Sequence, residues 1–153
     1  MKLSIFAAAA TLLSSTAVAQ QAIVINSCPD PIYVQSYPYD GGKAGPLTTV
    51  QPGKSFSENF RSSGSTVKVA TTKTLTNPLF FGYSLTSDPN YAYYELSNQF
   101  GNPFAKKRNT LSPGAGCEQF DCKANSPGCY STPDMKKVYG CPRPVNLTAH
   151  VCA

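Results

Sequence analysis

Six cysteines, Cys28, Cys117, Cys122, Cys129, Cys141 and Cys152, constrain this 153-residue chain more than any other feature. What they do depends on the compartment, and the N-terminus bears on that. Met1 and Lys2 give a positive start, Ile5 to Leu13 is a short alanine-rich apolar core, and Ala17-Val18-Ala19 is a small-x-small site. That is the three-part plan of a secretory signal peptide, with a cut expected before Gln20. The run is too short for a bilayer span, which takes about 20 apolar residues. No other long apolar run occurs in the chain, so a transmembrane segment is not expected and a channel is excluded. The expected organisation is a signal peptide over 1–19 and a single secreted, extracellular domain over 20–153.

In an oxidising compartment an even set of cysteines reads as a disulfide framework. Cys117 and Cys122 are five apart, unlike the two-residue gap usual in zinc ligation, and the chain has one histidine. No metal and no cofactor are therefore expected. Six cysteines allow fifteen pairings, and spacing does not choose among them. Asn146-Leu147-Thr148 is a glycosylation acceptor.

Strand signals dominate the chain beyond residue 20. Ala22 to Asn26 is a short apolar run ended by a turn cluster. Ile32 to Ser36 alternates, with Ile32 and Val34 on one face and Tyr33 and Gln35 on the other. Thr66 to Ala70 alternates again, and Leu79 to Leu85 and Tyr91 to Leu96 are aromatic-rich runs bounded by prolines and asparagine. Leu147 to Val151 puts Leu147, Ala149 and Val151 on one face. Period two with β-branched and aromatic residues predicts half-buried strands. Pro38 to Pro46 and Pro52-Gly53 are turns, the second leading into Ser55 to Phe60. Short strands between regular turns predict an all-β antiparallel sandwich or barrel. Gly101 to Pro144 holds four of the six cysteines, much Gly and Pro and few apolar runs, so it is expected to be irregular and pinned by disulfides.

Several segments, in order, resemble thaumatin-like proteins. Ala22-Ile23-Val24-Ile25-Asn26-Ser27-Cys28, then Ile32-Tyr33-Val34, is similar to the family's opening strands. Leu47 through Pro52-Gly53 to Phe60-Arg61 resembles its next segment. Tyr93-Tyr94-Glu95-Leu96-Ser97-Asn98 and Gly101-Asn102-Pro103-Phe104 resemble its aromatic strand and Asn-x-Pro turn. Cys129-Tyr130-Ser131-Thr132-Pro133-Asp134, Cys141 and Val151-Cys152 resemble its C-terminal end. The short length is similar to the small fungal branch, the yeast-phase-specific antigen family.

The resemblance implies a thaumatin-like β-sandwich and the pairs Cys28–Cys152, Cys117–Cys141 and Cys122–Cys129. It also bears on activity, since some members bind or slowly cleave β-1,3-glucan in an acidic cleft. The family's cleft glutamate falls at Gly82, its next aspartate at or near Ala92, its third at Glu95, and a C-terminal aspartate at Asp134. Glycoside cleavage needs two carboxylates about 5–9.5 Å apart. Only Glu95 and Asp134 are left as weak catalytic candidates; a weak endo-β-1,3-glucanase using them is a further alternative, and an efficient enzyme is not expected.

Binding without catalysis is a separate question. Tyr91, Tyr93 and Glu95 are predicted on one strand face and Ala92, Tyr94 and Leu96 on the other. The first set suits the apolar faces and hydroxyls of a sugar, and the alternative is packing between sheets. Tyr33, Gln35, Tyr37 and Tyr39 carry the same two readings. Lys106-Lys107-Arg108 reads as a dibasic processing site, a contact for anionic lipid or phosphomannan, or a solvated loop. His150 alternates away from the apolar face of its strand, and no nucleophile elbow accompanies it. Nucleic-acid binding is not expected, because no helical recognition element is visible.

Together these readings predict a secreted, monomeric, non-catalytic protein that binds cell-wall or matrix polysaccharide, β-glucan above all, and is associated with the wall. Signal peptide, small size, dense cysteines and a net charge of +5 fit a host-directed effector, antigen or antimicrobial protein equally well. That protein would act on a host surface protein or a membrane.

Overall fold

The computed structural model describes residues 20–114 and 116–153. The signal peptide expected over 1–19 lies outside the described residues. Among the described residues eleven strands form two sheets. The five-stranded sheet runs β4 (Ser55–Asn59), β1 (Gln21–Asn26), β11 (Leu147–Val151), β8 (Asn109–Ser112), β9 (Phe120–Cys122). The six-stranded sheet runs β10 (Tyr139–Pro142), β7 (Tyr91–Ser97), β6 (Leu79–Ser84), β5 (Ser65–Ala70), β2 (Ile32–Pro38), β3 (Thr48–Val50). The only helical turn among the described residues is a 3-10 turn over Pro127–Cys129.

The period-two pattern explains the layering. Ala22 and Val24 of β1 and Leu147, Ala149 and Val151 of β11 point inward from one sheet. Ile32 and Val34 of β2, Phe81 of β6 and Leu96 of β7 meet them from the other. Each large apolar side chain buried this way stabilises the fold by about 1.5–3 kcal/mol. Every ladder between sheet neighbours is antiparallel except one: β1 and β11 run parallel, from Ala22 opposite Leu147 to Asn26 opposite Val151. A parallel pair needs a crossover, and here nearly the whole chain is the crossover. The Gly101 to Pro144 stretch contributes three strands, β8, β9 and β10, of three or four residues each.

Cys28 bridges Cys152, Cys117 bridges Cys141, and Cys122 bridges Cys129. Two buried asparagines organise the ends that the first bridge joins. Asn26 donates through its amide to the carbonyls of Asp30 and Val50, both at 2.9 Å, and accepts from the Cys28 N–H at 2.9 Å. Asn109 accepts from the Cys152 N–H at 3.1 Å and donates to the Tyr130 hydroxyl at 2.9 Å. Burying such amides is tolerable because their polar atoms are partnered.

Candidate functional site

The outer face of the six-stranded sheet carries the aromatic residues that the core does not use. Register places Tyr37 of β2 opposite Thr66 of β5, Thr66 opposite Gly82 of β6, and Gly82 opposite Glu95 of β7. Tyr39, just past β2, arches back over this row. A Cβ at Gly82 would lie 2.9 Å from the Tyr39 hydroxyl and 3.3 Å from Glu95 Oε1. Glycine therefore seats a phenol beside a carboxylate. Tyr39 is 49% exposed as a residue, yet its hydroxyl end is drawn down onto the sheet. Burial pushes this phenol above its ordinary range, a hydrogen bond with Thr66 works against the shift, and the Glu95 charge adds to it.

Alternation puts Tyr91, Tyr93 and Glu95 on this face, with Ala92, Tyr94 and Leu96 buried beneath. Tyr91 and Tyr93 stack, with ring centroids 6.1 Å apart and planes at 26°. Tyr93 lies over Gly140 of β10, where a Cβ would come within 3.0 Å of its ring. Tyr39, Tyr93 and Glu95 then line a hollow of about 270 Å³, closed on one side by Lys136 and Val138. A second hollow of about 260 Å³ continues past Glu95 between Ser131, Thr132 and Lys136. Glu95 Oε2 accepts from the Ser131 hydroxyl at 3.1 Å, and that hydroxyl accepts from the Lys137 N–H at 3.1 Å.

Asp134 is exposed in the loop after Ser131 and lines neither hollow. The charged group that shares both hollows with Glu95 is a lysine, Lys136. Glu58, which sequence reasoning did not single out, lies at another edge. Its carboxylate accepts from Ser36, Tyr83 and the Arg61 guanidinium. No group of three or more potential metal ligands occurs among the described residues. Aromatic faces, hydroxyls and one carboxylate equip this surface to stack and hydrogen-bond a ligand.

The remaining sequence-named residues lie elsewhere. Asn146 is exposed, and its side-chain oxygen accepts from the Gln21 N–H at 2.9 Å. Lys106, Lys107 and Arg108 are exposed in a turn, where Arg108 makes two bonds to Asp121, at 2.6 and 2.9 Å. His150 faces outward on β11, opposite Ile25 and Thr110. Tyr33 and Gln35 share the outer face with Tyr37, and Gln35 accepts from the Tyr37 hydroxyl at 2.7 Å. Sequence reasoning missed Lys136 and Gly140 because a loop and cross-strand register bring them in. Only Gly82 left a mark, as a gap in the acidic pattern.

No helix among the described residues is long and apolar enough to cross a membrane. No curated protein matches the chain. The crystal structure of the protein elicitor MoHrip2 from Magnaporthe oryzae matches with TM-score 0.86 and 67% identity, over 88% of this chain and 100% of that one. The thaumatin-like xylanase inhibitor TLXI matches with TM-score 0.63 and 12% identity, over 86% of this chain and 99% of that one, a likeness of fold. Residues 9–153 match the family model described as Bys1, Blastomyces yeast-phase-specific protein. With its thaumatin-like sandwich and a family match across almost its whole length, the chain belongs to the Bys1 family.

Proposed function

We propose that the protein is a secreted, host-facing elicitor that acts by recognition rather than catalysis. The observation that carries this reading is its likeness to a protein elicitor at 67% identity over 88% of the chain. The leader pattern, the three disulfides and the sequon at Asn146 fit export as a glycosylated monomer. Lys136 in place of a second carboxylate beside Glu95 supports a non-catalytic surface. The test applies oxidised residues 20–153 to host leaf tissue, with MoHrip2 as positive control and a reduced, heated sample as negative control. An oxidative burst with the folded protein supports the reading. Silence beside a responding control overturns it.

A second reading is supported by the stacked Tyr91–Tyr93 pair beside Glu95: this face binds wall or matrix polysaccharide, β-1,3-glucan in the first instance. Sedimentation with insoluble β-1,3-glucan tests it. Protein in the pellet, lost in a folded Tyr91→Ala, Tyr93→Ala variant, with no sugar released, is the expected result. Sugar release lost on changing Glu95 to Gln and Asp134 to Asn would instead reveal a hydrolase.

A further inference from the structure

Beyond Tyr39, on the same sheet face, lies a larger hollow of about 650 Å³. Lys68 of β5 stands in it between two rings, its ammonium 4.3 Å from the Tyr37 centroid and 5.5 Å from that of Phe80. Phe100, 57% exposed, packs on Phe80 with centroids 4.8 Å apart and forms the far wall. Leu75 forms the lip. Among the described residues the ion pairs are Arg61–Glu58 and Arg108–Asp121, so Lys68 has no carboxylate partner.

Lip and wall are both built. Leu75 has φ 52° and Asn77 φ 48°, left-handed conformations that non-glycine residues seldom adopt. A relay of threonines holds them: Thr72 to Thr74 at 3.2 Å, Thr74 to Thr76 at 2.9 Å, and the Thr76 N–H to Thr72 Oγ1 at 3.2 Å. Gly101, at φ 134°, lets the Phe100 turn abut this loop, because a Cβ there would lie 2.5 Å from the Asn77 carbonyl.

The lining also selects chemistry. The Tyr37 hydroxyl is committed to Gln35, and that of Tyr39 is turned toward Gly82. Few polar groups are left for a sugar's hydroxyls, and stranding those on apolar walls is costly. An apolar body suits Phe80, Phe100 and Leu75, and an ammonium with no carboxylate partner is free to take an anion. We propose that this hollow binds a small amphipathic carboxylate, its apolar body on Phe80 and Phe100 and its carboxylate on the Lys68 ammonium. The body is a flat ring or an alkyl chain, and two probes tell them apart.

The test titrates oxidised residues 20–153 with 2-naphthoate and with decanoate, against neutral 2-naphthamide and decanamide, observed by NMR. At least one carboxylate is expected to bind saturably, shifting Lys68, Phe80 and Phe100, with its amide weaker by about tenfold or more. Tighter naphthoate identifies a ring ligand, and tighter decanoate a chain. Lys68→Met keeps the stem between the rings and is expected to bring the carboxylate down to the level of its amide. No binding by either carboxylate, or amides that bind as well as carboxylates, overturns the proposal without any variant. Undiminished binding by a folded Lys68→Met protein overturns it too. The measurement needs no elicitor activity, so either reading can fail alone.

Discussion

The Tyr83 phenol donates a 3.1 Å hydrogen bond to the Glu58 carboxylate, joining β6 of one sheet to β4 of the other. The same hydroxyl accepts from the Arg61 N–H at 3.0 Å. Tyr83→Phe keeps the ring, which stacks on Phe60 with centroids 4.7 Å apart, and removes these links together with a 3.4 Å bond to the Ser65 hydroxyl. An orphaned N–H and a lost bond to a charged group cost about 1–3 kcal/mol. We expect a Tm lower by roughly 3–10 °C in thermal unfolding with disulfides intact. An unchanged Tm would mean that the sheets do not depend on this contact.

Burial also gives the protein an alkaline limit. It pushes the Tyr83 and Tyr94 phenols from 10.0 to about 12, and the Glu58 and Glu118 charges respectively add to the shift. Tyr94 donates to the Glu118 carbonyl, a bond that needs its proton. A phenol whose pKa rises on folding supports the fold while protonated. That support is full below pH 10.0 and is lost as pH rises through about 12. Denaturant unfolding at stepped pH should show stability falling across that window, and less steeply in Tyr83→Phe. A curve flat to pH 12 in both proteins would contradict it.

The parts legible in sequence were those governed by alternation. Ile32 and Val34 facing in and Tyr33 and Gln35 facing out follow from period two alone, as does the grouping of Tyr91, Tyr93 and Glu95. Strands β3, β8, β9 and β10 are three or four residues long, too short to show a period. The parallel β1–β11 ladder is a long-range fact that no local pattern reports. The site was half legible for the same reason. Its strand residues follow from their period, whereas Tyr39, Phe100 and Lys136 arrive on turns whose paths depend on glycines and tertiary contacts. Gly82 read as a missing acid, and its role as the seat of a phenol appeared only with the register.

That seat is testable by adding one methyl group. In Gly82→Ala the new Cβ would lie 2.9 Å from the Tyr39 hydroxyl, the far end of a half-exposed side chain that can swing out. The fold should survive, and the phenol should return to water. Its pKa, raised chiefly by burial, should then fall toward 10.0. NMR titration of the Tyr39 ring measures this directly. A phenol as hard to ionise as before would show that Gly82 does not seat it. Glucan binding, if it uses this hollow, should weaken alongside.

The three bridges should differ in what they contribute. Cys28–Cys152 spans a sequence separation of 124 and Cys122–Cys129 one of 7. Chain entropy assigns them about 4.9 and about 2.5 kcal/mol respectively. Replacing each pair by alanines avoids stray thiols and isolates the effect. The Cys28, Cys152 double variant should lose about twice the unfolding free energy of the other, measured by denaturant titration. Equal losses would show that the β1–β11 ladder and the Asn26 and Asn109 bonds already hold the ends together without the bridge.

Folding should protect the Lys107-Arg108 pair from dibasic proteases, which would cut after it, at the Arg108–Asn109 bond. The Lys107 N–H donates to the Phe104 carbonyl at 3.0 Å, and the Arg108 carbonyl accepts from the Ala153 N–H at 2.8 Å. The Arg108 side chain is held by two bonds to Asp121, which keep the Asp121 carboxyl below its ordinary range. A protease needs this segment extended, so cutting requires local opening of the turn and of the chain end hydrogen-bonded to it. Intact mass after incubation with a dibasic-specific protease should be unchanged for the native protein, and cleavage should appear once it is reduced and unfolded. Asp121→Asn removes the charge that holds Arg108 and should be cut faster than the parent under native conditions. Rapid cutting of the native parent would instead make this turn a working processing site, with the Asp121 clamp no barrier to it.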